Sequence, residues 1–170
     1  MDLTGLIRDI PDFPKKGIIF KDITPLLGDA AAFSQMTDEF AAIYKGAGID
    51  KIASIESRGF IVGAALALKL GCGFIPVRKK GKLPYKTVRQ EYQLEYGTDM
   101  LEIHTDAVKK GDNVLIVDDV LATGGTAEAV CELITKLGGN IAGLCFLIEL
   151  KFLNGKEKLK KYRVDSLITY

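Results

Sequence analysis

Histidine, cysteine and tryptophan are scarce in this sequence. The shortages of histidine and cysteine exclude several classes of metal site and catalytic mechanism. The 170 residues include one histidine, three cysteines and no tryptophan. One histidine cannot build a zinc site, and a Ser-His-Asp mechanism would rest on His104 alone, so we interpret His104 as structural. Cys72, Cys131 and Cys145 show no C-x-x-C spacing and are odd in number, which predicts reduced thiols of an intracellular protein.

An excess of charge of one sign and a long hydrophobic run are lacking as well. The 23 Lys and Arg residues are balanced by 22 Asp and Glu, which excludes a broadly polybasic nucleic-acid-binding surface. The longest apolar stretch, residues 60–68, ends at Lys69 and is far shorter than the roughly 20 residues of a membrane helix. The N-terminal stretch is interrupted by charges and Pro11, unlike a signal peptide. We expect a cytoplasmic protein with no nucleic-acid or membrane partner.

What is present indicates one folded domain over residues 1–170. Hydrophobic residues make up 48% and charged residues 26%, as in ordinary globular proteins. Residues 1–28 are rich in turn formers, with a short strand at 18–20. Strands and helices then alternate, which predicts an α/β fold with an open parallel sheet flanked by helices. The predicted helices cover residues 29–46, 60–70 and 126–137, and the predicted strands cover residues 51–55, 73–77, 114–117 and 141–150.

Residues 78–106 interrupt this alternation with segregated charge. Bases without acids run from Arg78 to Arg89, and acids without bases follow up to Asp106. A long polar interruption is typical of a functional loop or a projecting hairpin, whose arms we predict at residues 92–96 and 99–103 with a turn at Gly97. The basic half is also compatible with a nucleic-acid patch or a solvated loop, although the balanced total charge disfavours the former.

The strongest motif is VLIVDDVLATGGT at residues 114–126. An apolar strand is followed by Gly124 and Gly125, which let backbone N–H groups converge without Cβ clashes. The loop then opens onto a helix N-terminus, whose free amides and dipole favour an anion, and Thr123 and Thr126 add hydroxyl donors. The motif predicts a phosphate-binding loop at the C-terminal end of a strand.

Two carboxylates, Asp118 and Asp119, immediately precede this loop. They would repel a phosphate ligand unless another group satisfies them, and a ribose diol or a Mg²⁺ ion would do so. A phosphorylated ribose explains both halves of the motif together. The alternative is that the two acids merely cap the end of the strand.

The segment VDDVLATGGT, residues 117–126, resembles the phosphoribosyl pyrophosphate (PRPP) signature of type I phosphoribosyltransferases, and further segments resemble the adenine-specific members of that family. FPKKGIIFKDITPLL (13–27) is similar to their purine-covering hood, ESRGF (56–60) to their pyrophosphate loop, and VRKKGKLP (77–84) and YQLEYGTD (92–99) to their flexible loop. The resemblance spans nearly the whole chain. It implies a hood at 1–28, a flexible loop region at 78–106, and a homodimer. It also implies Mg²⁺-dependent transfer of the 5-phosphoribosyl group from PRPP to adenine, giving AMP and pyrophosphate.

The resemblance also implies roles for individual residues. Glu95 is the expected acid–base group for the purine, and a non-proline cis peptide is expected at Ser57–Arg58. Phe20 and Val120 would sandwich adenine while Ile19 and Lys21 read its polar edge through their backbone, and Lys21 stands where some family members have Arg. The expected phosphate and ribose ligands are Asp118, Asp119, Ala122, Thr123, Gly124, Gly125 and Thr126, with the two aspartates also the candidate Mg²⁺ ligands. The expected pyrophosphate ligands are Ser57, Arg58, Arg78, Lys79, Lys82 and Tyr96.

Two other functions share these features. One is the same reaction on another purine, and six-oxo purines are disfavoured because the hood segment is of the adenine type. The other is a regulator that senses PRPP without turnover, which would need an added DNA-binding domain. The basic segment 151–163 is predicted to be a solvated surface element with Phe152, Leu159 and Tyr162 turned inward, and we assign it no function.

Overall fold

A computed structural model describes residues 2–94 and 97–170. Short 3-10 helices occur at Leu3–Leu6, Lys151–Leu153 and Gly155–Leu159. The described α-helices are α1 (Thr24–Gly28), α2 (Ala30–Tyr44), α3 (Arg58–Leu70) and α4 (Gly125–Lys136). The described strands are β1 (Arg8–Pro11), β2 (Ile19–Asp22), β3 (Lys51–Ile55), β4 (Gly73–Lys79), β5 (Thr87–Leu94), β6 (Gly97–His104), β7 (Asn113–Leu121), β8 (Asn140–Glu149) and β9 (Val164–Thr169).

Within the described residues, seven strands form one sheet in the order β5-β6-β4-β3-β7-β8-β9. Strands β4, β3, β7, β8 and β9 pair in parallel, whereas the β5–β6 hairpin joins the edge of β4 in antiparallel orientation. Strand β4, which follows β3 in sequence, pairs with one edge of β3, whereas the later strand β7 pairs with the other edge. This reversal opens a crevice at the C-terminal ends of β3 and β7, where open α/β sheets bind ligands. The predicted α/β fold is confirmed.

Helices cover both faces of the sheet because β7 is apolar on both. Leu115 and Val117 pack in one buried cluster with residues of α2 and α3, and Val114 and Ile116 pack in another with residues of α4. An uninterrupted apolar run is what a parallel strand buried on two faces requires. None of the described helices has both the length and the apolar character needed to cross a membrane.

The structure extends several predicted elements and adds others. Strand β7 does not end before the carboxylates but continues to Leu121, because β8 pairs with it up to Leu121 opposite Glu149. Strands β1 and β9 and helix α1 were not predicted. In the C-terminal segment Leu159 is buried and Tyr162 packs against the core, as predicted, but Phe152 is 69% exposed. The prediction for Phe152 was wrong because a short 3-10 helix turns its side chain to solvent.

The predicted hairpin exists and is longer than expected on both arms. Its base is fixed by Glu102 of β6, whose side chain is buried. The carboxylate accepts hydrogen bonds from the amides of Gly81 (2.9 Å) and Leu83 (3.3 Å), from Thr87 Oγ1 (3.3 Å) and from Arg89 Nε (3.0 Å). One buried carboxylate therefore ties the basic loop after β4 to both strands of the hairpin.

Candidate active site

A cavity of about 380 Å³ lies in the crevice at the ends of β3 and β7. Five parts of the chain line it: β2 with the preceding turn, the β3–α3 turn, the end of β7 with the following loop, Leu150 just after β8, and the sheet edge near the hairpin. The predicted site residues along its wall are Ile19, Phe20, Lys21, Ser57, Arg58, Lys79, Asp118, Asp119, Val120, Ala122 and Thr126. Segments far apart in sequence thus meet in one pocket.

A smaller cavity of about 70 Å³ shares part of this wall and is lined in part by the predicted phosphate loop, residues 122–126, although Gly125 is not a lining residue. Thr123 and Gly124 line it together with Ala122 and Thr126. Gly124 has a φ of 82° and precedes α4, which begins at Gly125. The free amides at the start of α4 therefore adjoin the cavity, as an anion site requires.

The carboxylates of Asp118 and Asp119 lie beyond the last residue pair of β3 and β7, Ser54 with Val117. They are therefore free to face the crevice, although β7 still pairs with β8 alongside them. Burial and the neighbouring Asp119 carboxylate raise the pKa of Asp118 well above its usual range. A pair of closely spaced carboxylates, one buried and one half-buried, favours a hydroxyl donor or a cation as its ligand.

Gly59 lets helix α3 begin directly against this pair. A Cβ atom at Gly59 would lie 2.5 Å from Oδ1 of Asp118, so a side chain there would displace the carboxylate or the helix. The position of Gly59 in the ESRGF motif therefore requires glycine for steric reasons.

Arg58 is the first residue of α3 and lies between the hood and the carboxylates. Its Nε is 2.7 Å from Oδ2 of Asp119, and its guanidinium carbon is 4.5 Å from the ring centroid of Phe20. Its Nη1 is buried without a hydrogen-bond partner among the described residues, so the guanidinium retains donor capacity inside the pocket.

The expected position of the cis peptide was wrong: the bond joins Glu56 to Ser57, because Ser57 is already the N-cap of α3 and the chain turns one residue earlier.

Basic residues at the end of β4 and in the loop that follows it surround Glu56, whose side chain is 8% exposed. Glu56 accepts from the Lys79 amide (2.6 Å), Arg78 Nη2 (3.1 Å) and Lys82 Nζ (3.4 Å). Burial opposes the charge of Glu56, but the Lys79 amide and the Arg78 guanidinium outweigh it and lower the pKa of this carboxyl. Lys79 lines the pocket, whereas Arg78 and Lys82 lie beside it and are held by Glu56.

The hood contributes an aromatic wall and a fixed lysine. Phe20 packs edge-on against Phe13, with ring centroids 5.2 Å apart. The ammonium of Lys21 is 2.7 Å from Oδ1 of Asp9 and 3.6 Å from the ring centroid of Tyr170. Because its ammonium is bound in this way, the backbone of Lys21 is the part best placed for a ligand, which makes Lys in place of Arg compatible with the site.

Tyr92 is a pocket residue that the sequence analysis did not select. It lies on β5, lines the large cavity and donates its hydroxyl to Oδ2 of Asp99 (3.3 Å). Burial and the Asp99 carboxylate raise the pKa of Tyr92 to about 12, so it remains a neutral donor. The YQLEYGTD segment contained this residue, but only the hairpin geometry directs it to the pocket. The predicted residues Glu95 and Tyr96 of that segment lie outside the described residues.

A phosphate loop, a carboxylate pair and an aromatic hood around one crevice define a protein that binds a phosphorylated sugar and a planar base. The sequence matches the phosphoribosyl transferase domain family over residues 27–169. It is 61% identical over 169 residues to the adenine phosphoribosyltransferase of Geobacter metallireducens, covering 99% of both chains. It is 58% identical over 170 residues to that of Thermotoga neapolitana, covering 100% of both. The chain therefore belongs to the phosphoribosyltransferase family, and the resemblance to that family is confirmed.

Solved structures agree with this assignment. The crystal structure of adenine phosphoribosyltransferase from Thermoanaerobacter pseudethanolicus has a TM-score of 0.97 and 55% identity, covering 99% of this chain and 98% of that one. The enzyme from Saccharomyces cerevisiae, complexed with an imino-altritol bisphosphate and adenine, has a TM-score of 0.93 and 41% identity, covering 97% and 96%.

Proposed function

We propose that this protein transfers the 5-phosphoribosyl group of PRPP to adenine, giving AMP and pyrophosphate in purine salvage. The observation that carries the proposal is that the phosphate loop, the carboxylate pair, Arg58 and the hood line two cavities whose walls share residues. Adenine phosphoribosyltransferases that match this chain over its full length support the choice of adenine.

The phosphate and ribose are held at the end of β7. Backbone amides of residues 122–126 and the hydroxyls of Thr123 and Thr126 bind the 5-phosphate at the start of α4. Asp118 and Asp119 accept hydrogen bonds from the ribose diol, which relieves the repulsion between the two carboxylates. The sugar is thereby fixed with its anomeric carbon toward the base.

Pyrophosphate binds at the start of α3. Arg58 supplies charged donors, Ser57 supplies its backbone and hydroxyl, and Lys79 adds a cation from the end of β4. Arg78 and Lys82 also bind pyrophosphate when their side chains leave Glu56. They act within their own subunit or across a dimer. Tyr96 adds its hydroxyl when the flexible loop closes over the site, and closure excludes water from the reacting centre.

Adenine lies under the hood, with Phe20 and Val120 on its two faces and the backbone of Ile19 and Lys21 at its polar edge. The bond from the ribose anomeric carbon to pyrophosphate breaks, and a bond from that carbon to the purine imidazole nitrogen forms. The proton of that nitrogen passes to Glu95, and the departing charge is stabilised by Arg58. Arg58 thus stabilises the anionic leaving group, and Glu95 accepts the one proton that the reaction releases.

Mg²⁺ fits this site as a partner of the substrate. Among residues 2–94 and 97–170, no group of three or more His, Cys, Asp or Glu side chains is arranged to hold a metal. Asp118 and Asp119 supply the oxygen ligands that Mg²⁺ prefers, and the remaining ligands would be PRPP oxygens and water. When bound, the ion neutralises the charge of the pyrophosphate group.

We further propose a homodimer, a single domain over 1–170 and a cytoplasmic location. Ile61 and Leu68 of α3 and Phe74 of β4 are exposed at 43%, 86% and 37%, and apolar side chains in this number on neighbouring elements favour a subunit interface. The cysteines, which are all unpaired, suit a reducing compartment.

The test is product formation by the purified protein with adenine, PRPP and Mg²⁺. AMP and pyrophosphate are expected in equal amounts. A variant carrying Asp118→Asn and Asp119→Asn should lose PRPP binding, whereas Asp38→Asn, which breaks only the surface pair with Lys69, should behave as the wild type. If PRPP binds but no AMP forms, the protein is a PRPP sensor and the proposed reaction is wrong.

A further inference from the structure

The basic C-terminal segment, to which the sequence analysis gave no function, packs against the phosphate loop. Its first part, residues 151–159, consists of two 3-10 helices separated by Asn154, which adopts a left-handed conformation with φ 52°. The second helix begins at Gly155, which is buried.

Gly155 and the phosphate loop touch through their backbones. A Cβ atom at Gly155 would lie 2.2 Å from the carbonyl oxygen of Ala122 and 3.1 Å from the amide nitrogen of Gly124. Conversely, a Cβ atom at Gly124 would lie 2.4 Å from the carbonyl oxygen of Gly155. These neighbours are main-chain atoms, so no change of rotamer could relieve the clash. The φ of Gly155 lies outside the left-handed region, so the demand for glycine there is purely steric.

The segment is anchored independently of the phosphate loop. Leu150 donates its amide to the Leu121 carbonyl (3.0 Å), and Lys151 donates to the Tyr170 carbonyl (2.8 Å). The ammonium of Lys156 is 2.7 Å from Oε2 of Glu149 at the end of β8. These bonds fix Gly155 to the ends of β7, β8 and β9, so the sheet itself determines where Gly155 lies.

Glu149 is the central anchor. Its side chain is 7% exposed, and it also accepts a hydrogen bond from Ser166 Oγ of β9 (2.8 Å). Burial opposes its charge, but Lys156 and Ser166 lower the pKa of Glu149, so it is ionised when it holds Lys156 at neutral pH. The anchor is therefore a charged pair with one buried partner.

We propose that residues 151–159 are a buttress that holds the phosphate loop in its binding conformation, with Gly155 as a positioning residue for the 5-phosphate of the substrate. This proposal rests on the proposed function. Anion binding by backbone amides depends on several N–H groups pointing at one centre. A displacement of the loop by about 1 Å would lose that convergence, and misplacement of this size can cost about a hundredfold in rate.

The test compares Gly155→Ala with Gly28→Ala. Gly28 ends both α1 and the stretch assigned to the hood, but it lines neither cavity. It has open space around its Cβ position and no left-handed φ, so it controls for the generic effect of alanine. We expect Gly155→Ala to raise the KM for PRPP and the dissociation constant of ribose 5-phosphate at least about tenfold and to lower the melting temperature by roughly 2–10 °C, with the KM for adenine changed little. Gly28→Ala should leave all four quantities unchanged.

A second pair of variants decides the matter if Gly155→Ala fails to fold. Lys156→Met removes the anchor and should raise the ribose 5-phosphate dissociation constant about threefold or more, whereas Lys160→Met, at an exposed position, should not. Unchanged ribose 5-phosphate binding by Gly155→Ala would refute the proposed role of residues 151–159. If Gly155→Ala does not fold, unchanged binding by Lys156→Met would refute it. Because ribose 5-phosphate binding needs no turnover, absence of AMP formation by the wild type would overturn the proposed reaction alone.

Discussion

Arg58 and Asp119 form the central ion pair of the site, with 2.7 Å between Nε and Oδ2. Asp119 is almost fully buried and Arg58 is one-third exposed, so the pair is only partly screened by solvent. In the proposed reaction both partners turn to the substrate, Arg58 to pyrophosphate and Asp119 to the ribose. The pair therefore keeps two ligand-binding groups ordered before substrate arrives.

Arg58→Lys keeps the charge but removes the planar fork and the contact with Phe20. We expect the KM for PRPP to rise about 10- to 100-fold, which corresponds to the loss of one or two charge-assisted hydrogen bonds. Steady-state kinetics with PRPP varied measures this. Arg163→Lys, at an exposed pair with Asp165, is the matched control and should have no effect. Equal kinetics for the two variants would refute the role of Arg58.

Glu95→Gln tests the proton acceptor. The amide cannot take the purine proton, so kcat should fall about 10²- to 10⁴-fold while PRPP binding is retained. Glu91→Gln, at an exposed position on β5, serves as control. A kcat of wild-type size in Glu95→Gln would assign the proton to another group.

Contiguous motifs made most of the cavity-lining residues of the candidate site predictable, because each motif places them close together in sequence. Asp118, Gly124 and Thr126 follow from one strand–loop–helix pattern. The partners of Arg78 did not follow, since Glu56 is separated from it by α3 and most of β4. Only the pairing of β3 with β4 brings that carboxylate to the basic loop.

At the scale of elements, the β5–β6 hairpin depends on one buried carboxylate. Glu102 is 1% exposed and joins the basic loop to both strands. Its burial opposes ionisation, but the amides of Leu83 and Gly81 and the guanidinium of Arg89 together lower its pKa below the ordinary 4.5. The anchor is therefore ionised at neutral pH.

Glu102→Gln should lower the free energy of unfolding by about 2 kcal/mol at pH 7, because hydrogen bonds to a buried charge are lost. A carboxyl with a lowered folded-state pKa contributes stability above its unfolded pKa and loses it as the pH falls through the folded value. The difference between variant and wild type should therefore shrink below pH 4.5. Urea unfolding at several pH values measures this, with Glu91→Gln as control. A difference that is constant or grows in acid would contradict the account.

Elements with strong periodicity were predictable, and those defined by a partner were not. Helix α2 shows apolar residues at helical spacing, and Asp29 caps it as an N-cap should. Strand β9 has the short sequence VDSLIT and is defined by its pairing with β8. The extension of β7 through the carboxylates likewise depends on β8, which no local pattern encodes.

At the scale of the whole molecule, the apolar surface formed by Ile61, Leu68 and Phe74 is the basis for the proposed dimer. Leu68 is 86% exposed in the last turn of α3, although its neighbours Leu66 and Ala67 are buried. Composition alone could not reveal this surface, because the same residues would be unremarkable in a core.

Leu68→Lys should dissociate the dimer, since it places two charges in an apolar interface. Sedimentation velocity should show the mass of a monomer, and Phe152→Lys, which changes another exposed apolar residue, should leave the dimer intact. A monomeric wild type, or a dimer unaffected by Leu68→Lys, would contradict this interface.

The most direct test of the central claim is a competition assay with PRPP, Mg²⁺ and equal concentrations of adenine, hypoxanthine and guanine, with the nucleotide products separated by chromatography. The account predicts AMP in at least about hundredfold excess, because a pocket built for the polar edge of one base leaves unpaired groups with another. IMP or GMP as the main product would contradict it.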